Sequence, residues 1–600
     1  MSTPELEETG GEHPVELGTW LAGASFVSAK DGSCQALFEG LLYNAKELRK
    51  ELGLPEGATP PELVLAGYSR WGAEVLPRLR GVFAVLVSDH ERHTLISARD
   101  PVGIHPLFYA RAGGEVLLSA SIQTLVDHPG VGTSVNRIAL ADHLCHRWPD
   151  REETYFEAVR RVPPGHALEV SRSGTRLYRY WEPVPADQEV NWVTEDELEL
   201  FDDLLDRVLD RTIDGGRAGV WLSGGLDSVT ITAIATDRCR QLGWPDPVAL
   251  SLIFPHPDAN EERIQRGVAE GLGLSHEVMG FMDAVGEKGM LPSALEISQT
   301  WPAPLLSFFL PAYQTLGLEG RGRGCTTILT GSGGDEWLSV SPTYAADMLW
   351  AFDFRGIYRL GTSNYRSFRI SRLRAMRNLL WRFGANPLLK AGAVATLERT
   401  APWALRTYRH ERVTRSTPAW VAPDPVLRGA IEQRAMQRSK HRFGDFYMSE
   451  VRETFDHPLV AMEMEESFEN SRRFGVRLGQ PFLDADIIDF LCRTPPELLI
   501  RGGRSKAVVR QTLARRFPEL GFERQRKVVA NSFSRPLLAS EGARLWKEMG
   551  GAPSLVETGI VDRAEAERCV QEVLAHKATG AYAYRLWDML SLEAWLRPRL

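Results

Sequence analysis

The fold and the chemistry of this chain are both indicated by the stretch Trp221-Leu222-Ser223-Gly224-Gly225-Leu226-Asp227-Ser228. The apolar residues 218–220 before it suit a strand, and residues 229–235 after it suit a helix. At such a junction the first helical N–H groups lack partners within the helix and attract an oxyanion. The two glycines let the backbone approach a phosphate closely, and the two serines add hydroxyl donors. The stretch therefore predicts a strand, a phosphate-binding turn and a helix.

Asp227 adds a carboxylate to this turn, where it would repel a phosphate unless a hard cation such as Mg²⁺ lay between them. We therefore predict a magnesium pyrophosphate site built from Ser223, Gly224, Gly225, Asp227 and Ser228. The alternative is an ordinary glycine turn after a core strand, as short Gly-Ser motifs usually are. The stretch resembles the SGGxDS loop of ATP-dependent synthetases that cleave ATP to AMP and pyrophosphate, and it lacks the Walker pattern GxxxxGK[ST]. The resemblance implies adenylyl transfer to a substrate oxygen.

Composition indicates an ordinary globular protein with more than one domain. The chain has 600 residues, of which 43% are hydrophobic and 25% are charged. This length is too great for one hydrophobic core, so we expect two large domains. The acidic N-terminus lacks the features of a secretory signal, no apolar run is long enough to span a bilayer, and the six cysteines show no metal-binding spacing. With a net charge of -8, these features predict a cytoplasmic protein without nucleic-acid or membrane partners.

Residues 1–190 form the first predicted domain. Short apolar runs such as 36–42 and 81–89 alternate with turn signals, which indicates a mixed, strand-rich domain. Five motifs in this half resemble, in order and spacing, the glutamine amidotransferase domain of asparagine synthetases; they lie at residues 43–48, 79–84, 98–109, 162–166 and 180–181. The resemblance implies a class II amidotransferase-like domain with αββα layers.

The second position departs from that family. The glutaminase nucleophile of the family is a cysteine exposed as the new N-terminus after removal of methionine, whereas this chain has Ser2. A serine hydroxyl is a far poorer nucleophile than a thiol near neutral pH. We therefore predict that the first domain does not hydrolyse glutamine and supports the synthetase half, with binding of a peptide or partner as the alternative.

Residues 191–600 form the second predicted domain. The apolar runs 248–254 and 326–329 suit buried parallel strands, and residues 261–272 suit a crossover helix. Together with the strand before Ser223 they predict a doubly wound α/β sheet, which binds its ligand at the carboxyl ends of the strands. The resemblance implies an ATP pyrophosphatase-type synthetase domain, here with helical additions.

A second glycine-rich loop, Thr330-Gly331-Ser332-Gly333-Gly334-Asp335-Glu336, follows the third of these strands. In the asparagine synthetase and β-lactam synthetase families the acid at the position of Asp335 holds Mg²⁺ together with the Asp of the first loop, so the resemblance assigns Mg²⁺ to Asp227 and Asp335. It also assigns ATP to Gly333 and Gly334. A glycine turn with a solvated acid is the alternative. Ser332 stands where the two families have Glu or Tyr.

Two lysines in the C-terminal part match family lysines that contact the ATP phosphates. They are Lys506 and Lys527, and the resemblance places Lys527 at the reacting centre. Lysines on the solvated surface are the alternative. Candidates for a base that deprotonates the amine are Glu463, Glu465 and Glu466, by chain region alone.

Residues 355–415 carry fourteen Lys or Arg residues against two glutamates, with aromatic residues between them. This composition predicts either a basic aromatic surface for an acidic peptide or protein, or amphipathic helices with a solvated basic side. Nucleic acid is disfavoured by the acidic remainder of the chain.

Among known families the chain most resembles the lasso peptide cyclases, which fuse an inactive amidotransferase-like half to an asparagine-synthetase-like half. The resemblance implies an ATP- and Mg²⁺-dependent carbon–nitrogen ligase that joins the N-terminal amine of a ribosomal peptide to an Asp or Glu side chain. Its partners would be the precursor (core) peptide, with a leader peptidase and a leader-recognition protein of the same pathway. The alternatives are a β-lactam synthetase, an ammonia-dependent asparagine synthetase and, in another class, a catalytically inactive peptide-binding scaffold.

Overall fold

The computed structural model divides the chain into two units. The described residues are 6–9, 13–15, 18–20, 26–29, 31–367, 370–437, 445–525, 531–575 and 584–600. The first unit comprises residues 1–143, 148–185 and 457–469, and the second comprises residues 144–147, 186–456 and 470–600. These units differ from the predicted ranges 1–190 and 191–600 mainly because residues 457–469, which are remote in sequence, belong to the first unit.

The described strands of the first unit form two sheets. In chain order they are β1 (Leu6–Thr9), β2 (His13–Val15), β3 (Gly18–Trp20), β4 (Phe26–Ala29), β5 (Cys34–Leu42), β6 (Gly81–Asp89), β7 (Thr94–Arg99), β8 (Phe108–Ala112), β9 (Glu115–Ser119), β10 (Val159–Arg161), β11 (His166–Ser171) and β12 (Gly174–Arg179). The first sheet has the order β1-β4-β5-β6-β7-β11-β12, and the second has the order β10-β8-β9-β3-β2. Neighbouring strands are antiparallel except β3 and β9, which are parallel.

Strand β5 shows how the first sheet is buried on both faces. Ala36 and Phe38 belong to a core that includes side chains of the helices Ala45–Leu52 and Pro60–Trp71, whereas Leu37 belongs to a core shared with the second sheet. Because successive side chains of a strand point to opposite faces, this alternation places helices on one side of the sheet and the second sheet on the other.

Two further helices of this unit are Ile122–Val126 and Arg137–Leu144. The first packs against the second sheet at β8, β9 and β10. The layers of helix, sheet, sheet and helix confirm the predicted αββα domain.

Residues 457–469 are held in the first unit by a buried ion cluster. Helix Pro458–Phe474 carries Glu465. Its carboxylate accepts hydrogen bonds from Arg99 Nη1 at 3.0 Å and from Arg161 Nη2 at 2.8 Å. Arg161 Nε also donates to Glu465. Both guanidinium groups are buried, and Arg99 Nε, Arg99 Nη2 and Arg161 Nη1 donate to backbone carbonyls. Glu465 therefore supplies the counter-charge that makes burial of two arginines tolerable.

The described strands of the second unit form one parallel sheet. They are β13 (Ala218–Trp221), β14 (Val248–Ile253), β15 (His276–Gly280), β16 (Thr327–Leu329) and β17 (Arg477–Gly479), in the order β15-β14-β13-β16-β17. The predicted strands at 248–254 and 326–329 are confirmed within a residue. The edge strands β15 and β17 were not predicted as strands because they are short and carry polar residues, which an edge position tolerates.

The strand order creates a crevice beside β13. From β13 the chain runs outward through helix Leu226–Leu242 to β14 and through helix Glu262–Leu272 to β15, and it then returns to β16 on the other side of β13. In such doubly wound sheets the connections leave neighbouring strands in opposite directions, and ligands bind at their carboxyl ends. The glycine-rich loops after β13 and β16 meet at this switch point, which confirms the predicted α/β fold.

Helices account for most of the remaining second unit. Before β16 they are Glu195–Leu198, Phe201–Ile213, Met290–Thr300 and Leu310–Gly322. Between β16 and β17 they are Gly334–Trp337, Tyr344–Trp350, Phe354–Ser367, Arg372–Arg377, Asn386–Thr400, Pro402–Ser416, Pro425–Gln437 and Phe446–Phe455. Of the helix that carries Glu465, only residues 470–474 belong to this unit. After β17 they are Ala485–Cys492, Pro496–Leu499, Ala507–Arg516, Asn531–Leu537, Ala543–Glu548, Pro553–Glu557, Arg563–Leu574 and Arg585–Leu596. Within the described ranges, no helix has both the length and the apolar character needed to cross a membrane.

We predict that Glu465→Gln destabilises the first unit by about 3 to 5 kcal/mol, because two buried guanidinium groups lose their counter-charge. Differential scanning calorimetry of the full chain should show this as a lower midpoint for one unfolding transition. The matched control is Glu157→Gln, which changes an exposed glutamate of the same unit. Equal midpoints for the two variants would contradict the assigned role of Glu465.

Candidate functional site

The loop after β13 is shaped by Ser228. Its Oγ accepts a hydrogen bond from the backbone N–H of Ser223 at 3.1 Å and donates to the carbonyl of Gly225 at 3.0 Å. Ser228 is buried, whereas Ser223 is exposed. Ser228 therefore holds the loop from inside, and Ser223 lies on its solvent side.

Gly224 and Gly225 give this loop its path into the helix. Gly224 has φ +79°, in the left-handed region that favours glycine, and Gly225 caps helix Leu226–Leu242. A Cβ on Gly224 would lie 3.0 Å from Glu261 Cβ, so the loop passes close to the start of the next crossover helix. The N–H groups of the first helical turn are thus presented at the carboxyl end of β13, as the sequence predicts.

The loop after β16 packs directly on the first loop. A Cβ on Gly331 would lie 2.7 Å from the backbone nitrogen of Ser228, and one on Gly334 would lie 2.4 Å from Asp227 Cγ. Gly333 has φ +90°, and a Cβ there would lie 2.9 Å from Leu483 Cδ2. The glycines of this loop are therefore required by close approach as well as by turn geometry.

Lys506 joins the acidic residues of the two loops. Its Nζ donates to Asp335 Oδ1 at 2.8 Å and forms an ion pair with Asp227 Oδ2. Lys506 is buried and adopts a left-handed backbone conformation, φ 59°, at the start of helix Ala507–Arg516. Two carboxylates, each from the helix that follows one of two neighbouring strands, thus converge on one ammonium group.

The donor set suits a magnesium ion that is shared with phosphate. Asp227 and Asp335 offer carboxylate oxygens, the ligands that Mg²⁺ prefers. Among the described residues no group of three or more His, Cys, Asp or Glu side chains could hold a metal by itself. Mg²⁺ commonly binds through one or two carboxylates and completes its shell with water and substrate phosphates. The two aspartates would therefore hold the ion only together with a triphosphate. Without that ligand, Lys506 balances the negative charge of both carboxylates.

Glu261 is a site residue that the sequence analysis did not single out. It follows β14 and caps helix Glu262–Leu272, with its Oε1 3.3 Å from where a Cβ on Gly224 would lie. Burial raises the pKa of Glu261 to about 7, and its Oε1 has no hydrogen-bond partner in the part of the chain that the structure describes. Its position after a parallel strand was a usable signal, because such acids lie at the ligand-binding edge.

Arg510 connects the helix Ala507–Arg516, which begins directly after Lys506, to the later residue Gln525. It donates from Nε to the carbonyl of Ser505 at 2.8 Å and from Nη1 to the carbonyl of Gln525 at 3.1 Å. Burial lowers the pKa of Arg510 to about 10. Lys527 follows two residues later and, like Ser2, lies outside the described residues, so the roles of both remain predictions.

Most of the predicted site residues are brought together by the two loops and Lys506. They are Ser223, Gly224, Gly225, Asp227, Ser228, Gly333, Gly334, Asp335 and Lys506. Of the three candidate bases, Glu465 accepts hydrogen bonds from Arg99 and Arg161 of the first unit, and a role as base stays a prediction for Glu463, Glu465 and Glu466.

Comparison with known proteins gives two family matches. A glutamine amidotransferase domain matches residues 19–181, and an asparagine synthase domain matches residues 199–597. Asparagine synthetase [glutamine-hydrolyzing] 3 of Bacillus subtilis is 31% identical over 40% of this chain and 41% of its own length. A putative asparagine synthetase of Mycobacterium tuberculosis is 30% identical over 53% and 49%, and Amidase chyE of Penicillium rubens is 27% identical over 55% and 50%. The chain thus spans about half the length of these curated relatives.

We predict that Glu261→Gln stabilises the protein increasingly as pH rises from about 4.5 to about 7, and by a constant amount above that. The pKa of Glu261 rises on folding from 4.5 to about 7, so the folded chain keeps a proton that the unfolded chain releases. Stability therefore falls as pH rises through this window and stays low above it, whereas Gln is uncharged throughout. Thermal midpoints should differ between variant and wild type at about pH 8 and coincide below about pH 4.5. A constant difference at all pH values would contradict the assignment.

We also predict that Gly334→Ala abolishes Mg²⁺-dependent ATP binding, because the new methyl group displaces the Asp227 carboxylate. The matched control is Gly267→Ala, since a Cβ on this helical glycine meets nothing within 4 Å. Alanine there should leave binding intact and favour the helix by about 0.5 to 1 kcal/mol. Isothermal titration with ATP and Mg²⁺ measures the affinity of each variant. Equal affinity of the two variants would show that the loops are not packed as described.

Proposed function

We propose a function from the premise that this chain belongs to the asparagine synthase family, whose domain matches residues 199–597. The protein is an ATP-dependent carbon–nitrogen ligase that releases AMP and pyrophosphate. The observation that carries the proposal is the convergence of Asp227 and Asp335 on Lys506 at the switch point of a parallel sheet. Two carboxylates beside a phosphate-binding loop can bind the Mg²⁺ that accompanies a triphosphate ligand.

The residues of the two loops divide the work of binding ATP. The N–H groups at Gly224 and Gly225, with the Ser223 hydroxyl, would receive the departing pyrophosphate at the helix N-terminus. Asp227 and Asp335 would hold Mg²⁺, which neutralises phosphate charge when bound. Lys506 would then turn from the carboxylates to the phosphate oxygens, and Gly333 and Gly334 would let the nucleotide approach the second loop. Lys527 is assigned to the α-phosphate by the family resemblance.

The reaction balances in two steps. A carboxylate oxygen of the substrate attacks the α-phosphorus of ATP, the bond to the β-phosphate bridging oxygen breaks, and pyrophosphate leaves. An amine nitrogen then attacks the acyl carbon, and AMP leaves with the oxygen that came from the carboxylate. The amine loses its proton to a base. Fixed positive groups around the α-phosphate would stabilise the charge that develops in the first step.

The substrate that we propose is a peptide that supplies both reacting groups. Ser2 replaces the cysteine nucleophile of the amidotransferase family, so the chain would have no internal source of ammonia. Ser332 is hydrogen-bonded to Thr330 at 3.0 Å in place of the Glu or Tyr of the two small-molecule families. An amine carried by the same molecule can be held in the orientation for attack, which can lower the activation free energy by several kcal/mol. The product is a macrolactam between the N-terminal amine and an Asp or Glu side chain.

A second candidate is an asparagine synthetase that uses free ammonia. The names of several relatives favour it, since those from Bacillus subtilis and Mycobacterium tuberculosis are called asparagine synthetases. Both candidates share the adenylation step and differ in what carries the amine. The choice therefore depends on the second substrate, which experiment can distinguish directly.

We predict that a core peptide encoded beside this gene loses one water when it is incubated with the protein, ATP and Mg²⁺, with one AMP formed for each ring closed. Mass spectrometry and nucleotide chromatography measure both. Replacing the acceptor Asp or Glu of the peptide with Asn or Gln should prevent both. Asp227→Asn and Asp335→Asn should be inactive, whereas the surface variant Asp246→Asn should be active. Consumption of free aspartate and ammonia with an unchanged peptide would instead support the second candidate.

A further inference from the structure

Two consecutive helices of the second unit bury almost none of their side chains. They are Asn386–Thr400 and Pro402–Ser416, which pack on each other and are called here the 386–416 helix pair. Among the described residues the first helix has no buried side chain, and the second buries only Leu405. Most helices in proteins are stabilised by packing an apolar face, so a pair without one has unused binding surface.

The surface of the helix pair is apolar and aromatic. The exposed fraction is 63% for Leu389, 69% for Trp403 and 55% for Tyr408. Leu388, Val394 and Leu397 are also not buried. Large exposed aromatic side chains of this kind are over-represented at the centres of protein interfaces. The sequence left open whether this region is a docking surface or a solvated face, and this exposure favours docking.

The helix pair also carries unbalanced positive charge. Its two acids are already paired, Glu398 with Arg409 at 3.0 Å and Glu411 with Arg415 at 3.0 Å. The remaining cations have no acidic partner in the described part of the chain; they are Lys390, Arg399, Arg406 and Arg412. The chain as a whole has a net charge of -8, so the positive charge of the helix pair is a local feature. A positively charged surface is complementary to an acidic partner.

We propose that the 386–416 helix pair binds an acidic peptide that also carries apolar side chains. Arginine recognises carboxylates through paired N–H groups, and the exposed Leu, Trp and Tyr side chains accept apolar residues of the same peptide. The inference deepens the proposed function: the occupant is a segment of the peptide substrate other than its two reacting groups. It rests on that function for the identity of the peptide, whereas the binding itself needs no turnover.

A membrane surface fits the helix pair less well. At 3.6 residues per turn, the apolar positions 388, 389, 391, 394 and 397 lie on every side of the first helix. A helix that lies in a membrane interface needs its apolar residues on one face. Nucleic acid fits poorly as well, because aliphatic side chains separate the cations and would interrupt a phosphate-binding surface. An extended peptide can contact both helices, and it can bind their apolar, aromatic and basic side chains together.

The test measures binding of a fluorescein-labelled peptide of alternating Glu and Leu by fluorescence anisotropy, with the full chain and without ATP. The double variant Trp403→Ala, Arg406→Glu should weaken binding by at least about tenfold, because it removes an aromatic anchor and reverses one charge. The matched control is Trp192→Ala, Arg207→Glu, an exposed Trp and an exposed Arg elsewhere in the same unit. The control should bind like the wild type.

Each other outcome overturns the proposal. It fails if the peptide does not bind, if both double variants lose affinity equally, or if a peptide of alternating Lys and Leu binds as tightly. Tighter binding of phosphatidylserine vesicles or of single-stranded DNA, lost in the same variant, would assign the surface to those partners. Failure of the proposed ligase activity is a separate result, seen as absence of AMP formation by the wild type.

Discussion

Two carboxylates that share one cation are the constraint on which the second unit depends. Asp227 and Asp335 carry like charges, and two neighbouring carboxylates repel each other unless a positive group or a shared proton offsets the repulsion. Lys506 provides that charge, and its left-handed backbone starts the helix that brings it there. The parallel order of β13 and β16 makes the loops neighbours, and Gly331 and Gly334 remove the side chains that would separate them. In the proposed function Mg²⁺ and triphosphate take over this charge balance.

A comparable arrangement holds residues 457–469 in the first unit, with the signs reversed. There one carboxylate, Glu465, balances the two buried guanidinium groups of Arg99 and Arg161. The stretch comes from the synthetase part of the sequence, so the first unit as observed is built from both halves of the chain. An isolated fragment of residues 1–190 would leave two buried cations without their acid, which is costly.

The sequence predicted the features that depend on local chemistry. The strand, glycine turn and helix around Asp227, and the glycine loop before Asp335, are short motifs whose geometry follows from nearby residues. Family resemblance predicted that Lys506 contacts the ATP phosphates. Its contacts with both aspartates depend on tertiary structure and could not be predicted from the sequence. Glu261 could have been suspected from its position after a parallel strand, but the burial that raises its pKa depends on tertiary packing. The short edge strands β15 and β17 lack the apolar pattern by which buried strands are predicted.

The path of one oxygen atom tests the central chemical claim most directly. A substrate peptide with a heavy isotope of oxygen in its acceptor carboxylate is incubated with the protein, ATP and Mg²⁺, and the nucleotide products are analysed by mass spectrometry. The account predicts one labelled oxygen in AMP and none in pyrophosphate, because the carboxylate attacks the α-phosphorus. Label in orthophosphate, accompanied by ADP, would show attack at the γ-phosphorus and would contradict adenylation at the site of Asp227 and Asp335.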